Sequence, residues 1–277
     1  MIRYLKAGVK HALGMHRPGR RLPVLPDDVL LASYPWSGDT WMRLLVANLL
    51  YSDRAADLGN LHRVIIDPEV SVKRDIDRVA RPRIVKTHGS FDPRYRRVIY
   101  LVRDSRDVAV SQYNSLRESG DMITMEDFIE GFVTEGADRH FGSWGENVGS
   151  WLAGRARHSG FFLLRYEDLL ADTERELRRV ADFAGWATTP EKISRAVDRS
   201  SASKMRENKS KHGQHSQLIK SPPAGGWQRD LPAPQVARVE AVWGDIMACL
   251  GYELVTRDYR AALASNLIGL LASGTAG

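Results

Sequence analysis

The amino-acid sequence predicts an α/β fold, a single domain with a central parallel β-sheet flanked by helices. Three observations carry this. Four short apolar or β-branched runs recur along the chain, helical patterns fill most of the gaps between them, and the chemistry-bearing segments fall at the carboxyl ends of the runs. Such alternation buries both faces of a parallel sheet under helices and gathers ligand-binding residues at the strand ends.

Each element follows from its local pattern. The runs from Asp28 to Tyr34, Arg83 to Thr87, Arg97 to Arg103 and Gly160 to Tyr166 read as the four strands. Helical spacing of apolar residues predicts helices from Thr40 to Leu50, Ser105 to Ser119, Met125 to Glu135 and Trp144 to Ala156. It predicts three more from Thr173 to Ala184, Thr189 to Arg199 and Pro234 to Leu250. Serines, glycines, prolines and basic residues between Glu207 and Gly226 show little periodicity and read as a long loop, functional or mobile. No internal repeat is visible. Residues 27–256 are expected to form the domain, preceded by a lead-in segment (1–26) and followed by a tail (257–277) that frays.

Composition excludes several classes. A chain of 277 residues with 43% hydrophobic and 27% charged content is an ordinary globular protein. Its 40 basic and 34 acidic residues give a formal charge of +6, without a long basic run, so no nucleic-acid partner is expected. The single cysteine, Cys249, cannot form an internal disulfide and fits a reducing cytoplasm. No apolar stretch approaches the roughly 18 residues of a membrane span. Near the start, Tyr4, Leu5, Val9 and Leu13 alternate with Arg3, Lys6, Lys10 and His11, an amphipathic lead-in helix capable at most of weak peripheral docking.

Three stations carry chemistry. In SYPWSGDTW (Ser33 to Trp41) a strand enters a Ser-Gly turn and a helix start, where backbone N–H groups and the helix dipole hold phosphate or sulfate. Gly38 permits close approach, and Ser37 and Thr40 add hydroxyls. The alternative is a plain strand–helix turn with Asp39 near the cap. A Walker lysine is missing, which disfavours a nucleotide triphosphatase or phosphotransferase. IVKTHGSF (Ile84 to Phe91) delivers Lys86 and His88 at the next strand end, a cation beside a natural general base. RVIYLVRDSRDVAVSQYN (Arg97 to Asn114) delivers Arg103 and, on the following helix, Ser111, a pair suited to a phosphate. The competing use of this segment is an ion-pair mesh among Arg103, Asp104, Arg106 and Asp107.

Together these stations resemble the sulfotransferases that use 3′-phosphoadenosine-5′-phosphosulfate (PAPS). That family shows a Tyr-Pro-Lys-Ser-Gly loop, a Lys-Thr-His strand end and an Arg-Asp-Pro-Arg-Asp segment running on to a serine. The segments LLRYEDLLADTERELRRVADFAG (Leu163 to Gly185), SSASKMRENK (Ser200 to Lys209) and IKSPPAGGWQRDL (Ile219 to Leu231) are similar to its later elements, and the resemblance spans roughly residues 27–253. It implies a nucleotide-kinase-like, P-loop-type fold. By matching positions, Trp36, Ser37, Gly38, Asp39 and Thr40 would line the 5′-phosphosulfate, with Trp41 and Tyr166 near the adenine. Arg103 and Ser111 would hold the 3′-phosphate, joined by Lys220 and Ser221, and Ser201 falls at another nucleotide-contacting position. His88 would be the general base and Lys86 a catalytic cation. PAPS would be the co-substrate and 3′-phosphoadenosine-5′-phosphate (PAP) the product, with no metal required.

This chain departs from the family pattern at telling places. Trp36 stands where a lysine or arginine is usual, and Asp39 adds a negative charge beside an anionic ligand. At an effective dielectric of ~20, one unit charge at about 4 Å is worth roughly 4 kcal/mol before solvation offsets it. Lys86 is the expected replacement cation, with Arg43 a looser second candidate that is expected to follow the helix surface instead. Ala202 replaces a frequent aromatic, and Pro222 removes a backbone donor. His212 and His215 lie just upstream without a metal-like set. The stretch from Ser52 to Pro82 holds Asp and Arg but no aromatic residue, which points to a polar hydroxyl acceptor, a sugar or glycosylated small molecule, over a phenol or steroid. The rival reading is a non-catalytic nucleotide-binding relative, suggested by Trp36.

Overall fold

A computed structural model describes residues 22–51, 55–68, 71, 76, 79–136, 141–204 and 224–256. Residues 1–21 of the lead-in segment, Lys220, Ser221, Pro222, His212, His215 and the tail fall outside these residues.

Strands β1 (Val29–Ser33), β2 (Ile84–Thr87), β3 (Arg97–Val102) and β4 (Phe161–Arg165) form one parallel sheet in the order β2-β1-β3-β4. Val29 pairs with both Ile84 and Arg97, and Val98 pairs with Phe161, so all four carboxyl ends open on the same edge. Successive side chains of a strand point to opposite faces, and the core divides accordingly. Leu30, Ala32, Val98, Tyr100 and Val102 face one layer, which also holds Trp144, Trp151 and Trp243. Val29, Leu31, Ile99 and Leu101 face the other, with Leu45, Leu177, Val180 and Ile193. Burial on both faces explains why the inner strands read as continuous apolar runs.

The helices are α1 (Asp39–Leu50), α2 (Ser105–Glu118), α3 (Met125–Thr134) and α4 (Trp144–Arg155). They continue with α5 (Tyr166–Ala171), α6 (Thr173–Ala184), α7 (Pro190–Arg199), α8 (Trp227–Asp230) and α9 (Ala233–Cys249). Caps set several of their starts. Asp104 accepts from the Arg106 N–H, Thr124 from Asp127, and Ser143 with Glu146 forms a reciprocal capping box. Helix α6 buries Leu177, Val180, Ala181 and Ala184 on one stripe and ends at Gly185 in the left-handed conformation.

The predicted strands and seven predicted helices all form, with ends shifted by a residue or two. Two short helices escape the pattern reading, because α5 and α8 are too brief to show a period. Tyr166, expected to close the fourth strand, instead opens α5.

Candidate active site

The loop after β1 lies at the centre of the carboxyl edge, because β1 pairs with β2 on one side and β3 on the other. Chain connections diverge there, leaving a crevice at the strand ends. Four strand ends therefore supply it with Ser33 to Gly38, Lys86 to His88, Arg103 and Tyr166.

The loop itself is tightly wound. Gly38 caps α1 with φ 96°, and a Cβ there would meet the Tyr166 ring at 2.6 Å, so only glycine fits. Trp36 also adopts a left-handed conformation, φ 61°, unusual for a large side chain. Its ring packs against the core while its carbonyl accepts a hydrogen bond from Arg103 at 3.2 Å. At the start of α1 the Trp41 N–H donates to the Gly38 carbonyl at 3.1 Å and the Thr40 N–H turns to the Asp39 carboxylate, while the positive end of the helix dipole faces the strand-end loop. Asp39 is the first helical residue, with Gly38 taking the cap position expected of it.

Arg103 is almost fully buried, with its guanidinium 4.7 Å from the Tyr166 ring centroid. Of the expected ion-pair mesh only the Arg106–Asp104 pair forms among the described residues, with Glu240 in place of Arg103 and Asp107. Arg106 pairs with Asp104 at 2.6 Å and Glu240 at 2.5 Å, whereas Asp107 accepts from the N–H groups of Gly225 and Trp227. Burial raises the pKa of Asp107, against the opposing pull of Arg103 and those two N–H groups. Arg103 thus turns to the loop, and the Trp144 indole N–H holds its carbonyl at 3.2 Å. Ser111 sits two turns along the same helix, half-buried, one turn beyond Asp107.

His88 is fixed from two sides. Its Nδ1–H donates to the Ser33 carbonyl at 2.8 Å, with the Ser33 hydroxyl at 3.4 Å. In the neutral ring this leaves Nε2 as the basic nitrogen. The Asn147 amide donates to the His88 carbonyl at 2.9 Å and accepts from the Tyr100 hydroxyl at 2.8 Å, while Phe141 packs edge-on at 5.5 Å. Asn147 was not picked out in the sequence. It had a signal, as the one polar member of the buried stripe Trp144, Asn147, Val148, Trp151.

Beside His88 lies a charged cluster. Ile66 bridges to Val85 and so sets Asp67 alongside β2. One oxygen of Asp67 is 3.7 Å from Lys86 Nζ and 3.2 Å from Arg43. The other nitrogen of Arg43 lies 3.3 Å from Asp39 and donates to the Thr40 hydroxyl at 3.4 Å. Burial disfavours the charged form of Asp39, yet the surrounding Arg43, His88 and Lys86 outweigh it and hold its pKa below the usual value. The expectation that Arg43 follows the helix surface is therefore corrected. One turn after Asp39 it shares that residue's helix face and is drawn inward between two carboxylates.

On the far side, Trp41 lies edge-on to Tyr166 at 6.0 Å and donates its indole N–H to the Ser200 carbonyl at 3.1 Å. Ser201 follows, its hydroxyl 3.1 Å from that of Ser203. Asn48, also not singled out in the sequence, ties α1 to this turn through the Ser200 hydroxyl at 3.1 Å.

Three buried polar atoms around the crevice, Ser37 Oγ, Arg43 Nε and Arg103 Nε, have no hydrogen-bond partner among the described residues. Orphaned donors of this kind at a helix start suit an anionic ligand with several oxygens. No group of histidine, cysteine and carboxylate side chains that could hold a metal occurs among the described residues, nor does a helix long and apolar enough to cross a membrane.

Comparison with known proteins follows the same outline. A family model described as a sulfotransferase domain matches residues 26–251. Rat sulfotransferase 1A1 is 28% identical over 209 residues, covering 69% of this chain and 71% of that protein. Rat sulfotransferase 1C2 is 30% identical over 204 residues, covering 66% and 67%. Among solved structures, mouse sulfotransferase SULT7A1 complexed with PAP aligns with a TM-score of 0.65 at 20% identity, covering 88% of this chain and 89% of that one. Retinol dehydratase in a complex with retinol and PAP aligns at 0.62 and 23% identity, covering 81% and 82%.

Proposed function

The chain belongs to the sulfotransferase domain family, and from that premise we propose that it transfers a sulfuryl group from PAPS to a hydroxyl of a polar acceptor, with His88 as general base. One observation carries this reading. A histidine with its tautomer set by Ser33 and a group of orphaned buried donors, Ser37 and Arg103 among them, converge on the same strand-end crevice.

The roles follow from chemistry and position. The amide groups opening α1, with the hydroxyls of Ser37 and Thr40, cradle the 5′-phosphosulfate. Trp36 contributes its backbone, Gly38 lets the ligand approach, and Asp39 turns to Arg43. Trp41 and Tyr166 offer edges to the adenine, and Ser201 borders it. Arg103 and Ser111 hold the 3′-phosphate, with Lys220 and Ser221 as further contacts.

His88 Nε2 takes the acceptor proton as the acceptor oxygen bonds to sulfur. The bond from sulfur to the 5′-phosphate breaks, its electrons leave on the phosphate oxygen, and Lys86 offsets charge on the oxygens in transit. Like phosphoryl transfer, the step depends on positioning and electrostatics. PAP is the product that remains. The two solved neighbours described as PAP complexes support this choice of donor, as does the set of orphaned donors here.

The acceptor reading rests on the charged flank beside His88, where Asp39, Arg43, Asp67 and Lys86 crowd one side. A flank of that polarity favours a sugar or other polyhydroxylated molecule. Transfer of radiolabelled sulfate from PAPS to sugars, glycosides, phenols and sterols tests it. The expected result is modification of the polar acceptors. Exclusive modification of apolar alcohols, the class bound by the retinol dehydratase neighbour, would overturn the acceptor assignment. PAP binding without transfer to any acceptor would favour a binding-only protein.

A further inference from the structure

We propose that Arg43 supplies the cation that the phosphosulfate loop lacks at Trp36, acting with Lys86 as a pair bridged by Asp67. This rests on the sulfotransferase reading and assigns a further catalytic residue within the same site.

The loop needs a charge that its own residues do not give. The Trp36 ring is committed to the core, and only its carbonyl turns back, to Arg103. Asp39 makes the deficit worse by placing a carboxylate on the first turn of α1. Arg43 answers both problems. It stands one turn beyond Asp39, its side chain is 13% exposed, and its guanidinium spans Asp39, Thr40 and Asp67 within 3.4 Å. Its Nε–H has no partner among the described residues. Planar and permanently charged, a guanidinium can keep its carboxylates on two nitrogens and still present an N–H to an oxyanion. Lys86 approaches the same oxygen of Asp67, so that carboxylate holds two cations side by side at the edge of the crevice. Two carboxylates and two cations leave the cluster neutral overall. What it offers the negative charge that develops on the 5′-phosphate oxygen as the S–O bond breaks is therefore local, the charge-assisted Nε–H of Arg43, unpartnered among the described residues, with Lys86 beside it. The usual lysine reaches that oxygen from the loop; here the charge comes from the helix behind it.

The test is a set of variants assayed for sulfate transfer from PAPS and for PAP affinity by calorimetry. Arg43→Met should lower kcat by roughly ten- to a thousandfold, the range seen for removing one stabilising donor or charge, while PAP affinity changes less than about threefold. Adding Trp36→Lys should restore at least tenfold of the lost kcat. The same Trp36→Lys change in the parent should gain much less, because its charge is already supplied.

Asp39→Thr with Arg43→Met removes the stranded carboxylate, so it stays testable if Arg43→Met alone does not fold. It should also be slow and also be rescued by Trp36→Lys. Unchanged kcat in Arg43→Met, or equal effects of Trp36→Lys in both backgrounds, would overturn the proposal. So would a parallel loss of PAP affinity and kcat without rescue, which marks a structural role. Absence of PAP binding and sulfate transfer in the parent protein would instead defeat the sulfotransferase reading itself.

Discussion

At the scale of single residues, the site is built by pairing each reactive group with a partner that aims it. Ser33 sets the His88 tautomer, Trp36 turns its carbonyl to Arg103, and Asp67 gathers Lys86 and Arg43. The proposed role of Arg103 is the most direct to isolate. Arg103→Ala should weaken PAP binding by roughly ten- to a hundredfold, the loss of one charge-assisted contact to a phosphate, as calorimetry would show. Much of this was legible in the sequence, since His88, Lys86, Arg103 and the loop residues sit where apolar runs end. Arg43 was only a second candidate, expected on the helix surface, and Asp67 was not picked out. One aspartate in a charge-rich stretch carries no local mark, and only the Ile66 to Val85 bridge and the turn of α1 bring the two together.

At the scale of elements, the strand–loop–helix unit from Val29 to Leu50 is the proposed donor-binding unit. Its geometry depends on Gly38, where the positive φ and the Tyr166 ring both exclude a side chain. Gly38→Ala should therefore cost about 1–3 kcal/mol of stability in a denaturant titration and weaken PAP binding in parallel, because the amide groups of the cradle shift with it. The strands were readable because burial on both faces makes them uninterrupted apolar runs, and the longer helices because their apolar stripes repeat. Helix α5 was not readable by period, since six residues are too few; only the change from the apolar strand to Glu167 and Asp168, and the Tyr-Glu-Asp resemblance, marked it. The composition of Glu207 to Gly226 predicted a loop, but a nucleotide role for Lys220 and Ser221 came only from the resemblance, and both lie outside the described residues.

At the scale of the whole molecule, two apolar layers clamp the sheet while buried charges lock distant segments of the chain together. Glu240 of α9 is fully buried and accepts from Arg106 of α2 and from the N–H groups of Val255 and Thr256. It thereby fastens the chain beyond α9 to the helix that follows β3. Glu240→Ala leaves the Arg106 guanidinium short of a carboxylate in a dry interior, and should destabilise the fold by about 3–5 kcal/mol in urea. The fold class followed from the sequence because it depends on alternating patterns. This lock did not, since its partners lie far apart in the chain.

The central claim joins these scales. It is the proposal that the carboxyl edge of the sheet is a sulfuryl-transfer site in which His88 removes the acceptor proton and the donor is held without its help. The most direct test measures kcat for sulfate transfer from PAPS and Kd for PAP in the parent protein and in His88→Gln. The account predicts that kcat falls by roughly 10²- to 10⁴-fold while Kd for PAP stays within about threefold. Unchanged kcat in His88→Gln would contradict it.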